Sequence, residues 1–320
     1  MFRNMLSDVR GDGGMAMDIS GSPHLTAARE AERPTRWWIA IPLVVALFIA
    51  VGGAVIELIG AAFGTPEEGS AAELVAEVPE FGIALVVLLL WVRLRDRRPA
   101  LSIGFQWRST PLLHLVGGIA GGVLLVSAPA LLLRISGAYD SVPAGDDVTV
   151  GAGALLIVIP LVLAVLVQAS TEEAMFRGYV QQLTGTQLAG WAAVLAPSIG
   201  FAAAHLDFHP LVMANIILVA ILFSFLALRI GTIWLVCGIH CGWNWAQGNL
   251  FGIPVSGNPV DVSILRFAPD ASGADWLTGG EFGIEGSAVT TVVLALAAFA
   301  AYRWFTAGAR TTTAEELAAA

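Results

Sequence analysis

The stretch GAGALLIVIPLVLAVLVQASTEEAMFRGYVQQL, residues 151–183, decides what kind of protein this is. Residues 151–170 carry no charge and run for the ~20 residues that cross the hydrocarbon of a bilayer. Glu172, Glu173 and Arg177 then follow with no turn signal between them and the apolar run. Left facing lipid, each such group costs on the order of 2.5–3.5 kcal/mol at the bilayer centre, so a charge cluster continuing a span is a functional-site candidate by default. On a helix Glu173 and Arg177 are four apart and share a face, with the acid first, the better order for an ion pair. Glu172 is rotated by about 100° and points elsewhere. One carboxylate can be neutralised while its neighbour stays available for chemistry.

The whole chain has the same character. Hydrophobic residues make up 57% of the 320 residues and charged residues 13%, with a mean hydropathy of +0.77. Soluble chains carry roughly 25% charged residues. The charge here is too sparse to coat a water-facing surface, so the fold class expected is all-α, a polytopic transmembrane helical bundle. Apolar runs lie at about 37–60, 81–94 with an upstream extension, 111–133, 151–170, 187–205, 210–228, 232–249 and 287–305, which predicts about eight spans. Trp37, Trp38, Trp91, Trp107, Trp191 and Trp304 stand at or near the ends of these runs, the headgroup zone that suits an indole.

Arginine distribution orients the bundle. All 16 cationic side chains are Arg. Arg3, Arg10, Arg29, Arg33 and Arg36 precede the first span, and Arg93, Arg95, Arg97, Arg98 and Arg108 follow the second; Arg177, Arg229, Arg303 and Arg310 complete one side. The opposite loops hold only Arg134 and Arg266 beside Glu67, Glu68, Glu73, Glu77, Asp146, Asp147 and Asp261. Cytoplasmic loops are the Arg-rich ones, so both termini are expected in the cytoplasm. No cleaved signal peptide is evident near the start. An integral protein of a membrane, the bacterial inner membrane on the Arg-only coding bias, is the expected location. The net charge of −9 without a basic stripe argues against nucleic acid as a partner. Cys237 and Cys241, four apart in an apolar run, form no disulfide framework or metal knuckle and read as packing residues.

Two more apolar runs carry polar groups. FAAAH places Phe201 and His205 four apart, and HCGWN places His240 and Asn244 four apart. Either pair alone reads as an interhelical hydrogen bond. An acid, two imidazoles and a carboxamide on three helices supply the parts for water activation and oxyanion stabilisation. Phe201 reads as packing one turn before His205. His24, in the polar tail, His114, near a span start, and His209, in the turn LDFHP, read as solvated or interfacial.

EExxxR, FxxxH and HxxxN, in this order and in or next to predicted spans, resemble the CPBP family of intramembrane proteases, the CAAX endopeptidases and their bacteriocin-processing relatives. Glu172, Glu173 and Arg177 match the first motif, Phe201 and His205 the second, His240 and Asn244 the last. The resemblance implies an endopeptidase acting on a membrane-associated protein or peptide. In it Glu172 and His205 activate water, His240 and Asn244 stabilise the oxyanion, and Glu173 with Arg177 support the site. The chain then divides into a polar N-terminal tail (1–36), a transmembrane domain of this type (37–306) with its motif core at 172–244 and an external loop at 250–285, and a C-terminal tail (307–320). Membrane lipid and the substrate are the expected partners, through an opening on the cytoplasmic side.

No cofactor is required on this reading. Zinc held by Glu172, His205 and His240 ranks second, because HExxH is absent and Asn244 is a poor zinc ligand but a good donor. The rival classes are a non-catalytic membrane immunity or scaffold protein and a proton-coupled transporter. Counted at ~1.5 Å per residue, Glu172, His240 and Asn244 lie ~15, ~14 and ~20 Å from the cytoplasmic side, whereas His205, counted from residue 186, lies ~28 Å up. A bend near Pro197 and Gly200 is expected to bring it down.

Overall fold

The computed structural model describes Met17, Ile19 and residues 21–319 apart from 108, 109, 144, 146, 147 and 189, with the backbone alone over 309–319. Arg3, Arg10, Arg108, Asp146, Asp147 and the side chain of Arg310 lie outside the described residues. A short helix, α1 (Pro23–Arg29), precedes a rod made of α2 (Trp37–Ala46) and α3 (Gly52–Phe63), joined by the wider π-type winding of Leu47–Val51. There follow α4 (Ala71–Leu94), α5 (Pro111–Ile135) and α6 (Leu155–Glu173), which continues through a π-wound stretch, Ala174–Val180, into α7 (Gln181–Gln187). The remaining helices are α8 (Ala192–Ala204), α9 (Pro210–Ile230), α10 (Trp234–Trp245), α11 (Asp275–Thr278) and α12 (Ala288–Ala319).

Among the described residues six helices are long and apolar enough to cross a membrane: Trp37–Phe63, Ala71–Leu94, Pro111–Ile135, Gly151–Gln187, Pro210–Ile230 and Ala288–Gly308. Their outward side chains, among them Leu156, Ile159 and Leu163 on α6 and Val116 and Leu124 on α5, are large, apolar and exposed. A surface of that kind suits lipid and not water. The most apolar window of α9 is 56% buried against 22–33% for the other five, which makes α9 the inner helix.

The other two expected spans are shorter than the sequence suggests. The chain turns at Gly190, at φ +57°, so α8 has only 13 residues, ~20 Å of rise. α10 has 12, extended by the five π-wound residues Ala246–Leu250. The late start also removes the need for a bend to bring His205 down. α8 is continuous through Pro197 and Gly200, and counting from Ala192 instead of 186 lowers His205 by ~9 Å.

The two ends of the bundle are built differently. At one, Thr35 donates through its N–H and Oγ1 to Asp96 (3.0 and 2.6 Å), Gln187 donates to the Thr35 carbonyl (2.7 Å), and Ile233 donates to Gly104 (3.0 Å). Arg33, Arg36, Arg93, Arg95, Arg97 and Arg98 cluster in these connections. At the other, three connections are knitted into a cap. β1 (Tyr139–Ser141) pairs antiparallel with β4 (Phe267–Pro269), β2 (Thr149–Val150) pairs parallel with β3 (Val262–Ser263), and Asp261 donates to Gly69 (2.9 Å). The 250–285 segment, left without structure in the sequence reading, therefore forms much of an ordered cap that buries Ile253, Phe267 and Ile284.

Two further corrections concern segments taken as tail or loop. Residues 23–29 are a docked helix: Ser22 Oγ donates to the Leu228 carbonyl (2.6 Å), His24 Nε2 donates to the Arg177 carbonyl (2.8 Å), and Leu25 packs at Gly185. His24 is thus fully buried and not solvated, whereas His209 is exposed as expected and His114 is partly buried. Glu73 and Glu77, counted among loop residues, lie inside α4. Cys237 and Cys241 are free thiols in the core, in the packing role expected.

α5 and α10 approach so closely that their backbones touch, through Gly118 and Gly122 on one helix and Gly238 and Gly242 on the other. A Cβ on Gly118 would strike the carbonyl oxygen of Leu235, one on Gly122 that of Ile239, one on Gly238 that of Leu115 and one on Gly242 that of Ile119. Small residues four apart are how membrane helices gain close packing where no hydrophobic drive separates them from lipid. Gly122→Ala and Gly242→Ala are therefore expected to lower thermal stability in detergent by about 1–3 kcal/mol or more, because rigid backbone must yield. Gly117→Ala is the control, since nothing lies within 4 Å of its Cβ position; equal stability of all three variants would refute the backbone contact.

Candidate active site

Residues 171–184 are buried without exception, including Glu172, Glu173, Arg177, Gln181 and Gln182. Polar groups line the inside of this bundle while apolar ones face out. π-type winding over Ala174–Val180 sits directly after the two glutamates, a placement frequent at functional sites. Gly178 lets this turn reach the backbone of Ile103, where a Cβ would meet the Ile103 carbonyl.

Arg177 and Glu173 form the expected ion pair, Nη1 to Oε1 at 2.9 Å, with both side chains wholly buried. The guanidinium lies over Phe201, 4.3 Å from the ring centroid, and near Phe223 at 5.3 Å. Aromatic faces supply the environment that water would otherwise supply to its unpaired edge. Phe201 does more than pack. Its ring also stands edge-on to His205 (4.9 Å between centroids) and His240 (6.0 Å).

The same Glu173 oxygen holds the second imidazole. His240 Nδ1 donates to Glu173 Oε1 at 2.9 Å, and its Nε2 lies 3.8 Å from Glu172 Oε2. A carboxylate oxygen only accepts, so the proton on Nδ1 is assigned by this bond and Nε2 is left to face Glu172. His205, capping the C-terminus of α8, donates from Nδ1 to the Phe201 carbonyl at 2.9 Å. Its Nε2 is thereby left with the lone pair. Asn244, one turn beyond His240, makes no hydrogen bond among the described residues.

Glu172, His205, His240 and Asn244 all line one cavity of ≈ 470 Å³. The four residues singled out from three separate helical segments thus share a chamber. Glu172 and His240 are in near contact, while no ion pair among the described residues joins His205 to Glu172. The lining continues to Gly69, Asn249 and Ser256 in the cap, and contains no residue of the Arg-rich end. The cavity therefore extends from the motif residues towards the capped end.

No three His, Cys, Asp or Glu side chains among the described residues are arranged to hold a metal ion. Glu172, His205 and His240, the set available for zinc, are not drawn into one ligand sphere. The sequence reading missed Glu77, Glu80, Asn215 and Glu285, all on the cavity wall. The two α4 carboxylates were discoverable as charges in the upstream extension of an apolar run; Asn215 and Glu285 carry no motif.

No curated protein matches the chain. Residues 154–246 match the model of the Rce1-like family, described as type II CAAX prenyl endopeptidase Rce1-like. The matched segment runs from α6 through α10 and contains all seven motif positions. Over that helical core, less than a third of the chain, the match supports the likeness to the CPBP/CAAX proteases that the three motifs carry.

Proposed function

We propose that the protein is an intramembrane endopeptidase that hydrolyses an amide bond of a membrane-associated protein or peptide in the ≈ 470 Å³ cavity. The observation that carries this reading is the shared chamber of Glu172, His205, His240 and Asn244, with His240 braced by Glu173. Glu172 takes a proton from a water molecule, which His205 Nε2 orients by accepting its other O–H. The water oxygen attacks the carbonyl carbon, and the carbonyl becomes an oxyanion. His240, in its doubly protonated form, donates from Nε2 while Glu173 holds Nδ1–H; Asn244 Nδ2 is the second donor. Glu172 returns the proton to the departing nitrogen, leaving a carboxylic acid and an amine.

Each role fits an atom that is otherwise free. His205 Nδ1 is committed to Phe201, so only Nε2 can act on water. Glu173 is neutralised by Arg177, which leaves Glu172 as the one uncommitted carboxylate of the pair. We infer further that the Arg-rich end faces the cytoplasm, as the charge asymmetry requires.

Three outcomes test this reading on purified protein in lipid nanodiscs. Glu172→Gln is expected to reduce peptide turnover by about 10²–10⁴-fold, the range of a lost general base, while the protein stays folded. Unchanged turnover would remove the mechanism. Asn244→Ala should lower kcat by about 10²–10³ with little effect on KM, the signature of a donor used in the transition state. A proportional rise in KM alone would assign Asn244 to ground-state binding. Prolonged dialysis against a zinc chelator is expected to leave turnover intact; loss with recovery on added zinc would replace the metal-free scheme.

A further inference from the structure

The capped end of the cavity holds a carboxylate that the hydrolytic scheme does not use. Glu285 Oε2 accepts from the Ser256 N–H (2.6 Å), Ser256 Oγ (3.1 Å) and Gln247 Nε2 (3.3 Å), while Oε1 has no donor among the described residues. Beside it, Asn215 donates from Nδ2 to the carbonyls of Glu285 (2.7 Å) and Ser287 (3.0 Å). These two bonds fix the orientation of the carboxamide and leave Oδ1 without a partner, in a side chain only 1% exposed. Both residues line the cavity. Asn215 Oδ1 is thus a buried acceptor without a donor, which costs free energy until something donates to it, and Glu285 Oε1 is a second open acceptor on the same cavity wall.

The rest of the wall is rich in carboxyl groups. Glu73, Glu77, Glu80 and Glu172 share the lining with Glu285, and no Arg is on it. Burial raises the Glu285 carboxyl above its usual range, and the Ser256 and Gln247 donors and the charge of His240 offset that only in part. Glu73 is partly spent on the Gly69 N–H (2.7 Å), and Arg177 is committed to Glu173. A wall of carboxyl groups without an arginine offers an arriving cation counter-charges, because a cation favours ionisation of the acid it meets.

We infer that Glu285 and Asn215 form a specificity subsite that receives a cationic group of the substrate, a guanidinium or an ammonium, next to the bond being cut. This rests on the hydrolase reading and adds the substrate class: peptides with Arg or Lys close to the scissile bond on the side nearer the cap. Glu285 Oε1 accepts from the cation as a charge-assisted bond, and Asn215 Oδ1 takes a second N–H. An acidic residue in the same place finds no arginine on the wall to pair with. Loss of such a bond to a charged partner is worth roughly tenfold to hundredfold in discrimination.

The test is digestion of a proteome-derived peptide library by the full chain in nanodiscs, with the new termini read by mass spectrometry. The expected result is roughly tenfold or greater enrichment of Arg and Lys at one position beside the cut. N-terminally acetylated and free peptides should be cut alike, which separates a side-chain cation from a terminal ammonium. The enrichment should collapse in Glu285→Gln and persist in Glu285→Asp. No enrichment by the unaltered protein, or enrichment untouched by Glu285→Gln, overturns the subsite. A second measurement needs no turnover: binding of fluorescent hexapeptides that differ only by Arg or norleucine at a central position to the Glu172→Gln protein. Roughly tenfold tighter binding of the Arg peptide is expected, and equal binding refutes the proposal. Selective binding with no cleavage by the unaltered protein would sink the hydrolase reading while leaving the cationic subsite in place.

Discussion

Glu173 Oε1 accepts from Arg177 Nη1 and from His240 Nδ1, both at 2.9 Å, and the rest of the site depends on this shared oxygen. It fixes the ring of α10 against the end of α6, and it settles which nitrogen of His240 faces the cavity. It also uses up one of two adjacent carboxylates. Glu172, one residue earlier and turned by about 100°, is thereby left without an arginine of its own and faces His240 Nε2 at 3.8 Å. Burying a carboxylate and a guanidinium together costs several kcal/mol per ion unless geometry and additional contacts offset it. The offset here comes from Phe201 and Phe223 against Arg177, and from the second donor on Glu173. The motif residue Phe201 is best understood as the surface on which Arg177, His205 and His240 are all positioned.

The pairing needs α10 to sit at a defined depth and rotation, and the glycine contacts with α5 supply that. Backbone against backbone leaves little freedom to slide, so His240 is held by its helix as well as by its hydrogen bond. The cap at the opposite end closes the chamber with strands and turns that no lipid could solvate. Irregular backbone at membrane depth is tolerated only where protein or a water-filled cavity satisfies it. Glu285 Oε2 does this for the backbone N–H of Ser256, and Gln247 for the carbonyl of Pro254.

Much of this was legible from residue order. Apolar runs marked every major helix, because hydrocarbon thickness imposes a length that hydropathy reads directly. EExxxR, FxxxH and HxxxN were legible because charge and imidazole in an apolar run are costly and demand a reason. Other features were hidden for physical reasons. α8 begins at Ala192 because Gly190 takes a left-handed turn, and an apolar stretch does not reveal where within it the chain turns. His24 reads as a tail residue, since its burial depends on carbonyls more than a hundred positions away. Glu285 belongs to a Gly-rich loop whose fold is set by pairing with residues 139–150, contacts that no local pattern encodes. The glycine spacing on α5 and α10 was on view and went unread, since it acquires meaning only once the two helices are known to be neighbours.

A double-mutant cycle between Glu173 and Arg177, read as thermal stability in detergent, addresses the shared oxygen most directly. Glu173→Gln and Arg177→Met should each destabilise by about 3–5 kcal/mol, because each strands a buried charge. Combined, they should cost clearly less than the sum, since no orphaned ion is left. Strictly additive losses would mean that the two side chains act independently, and that Glu173 does not organise the site.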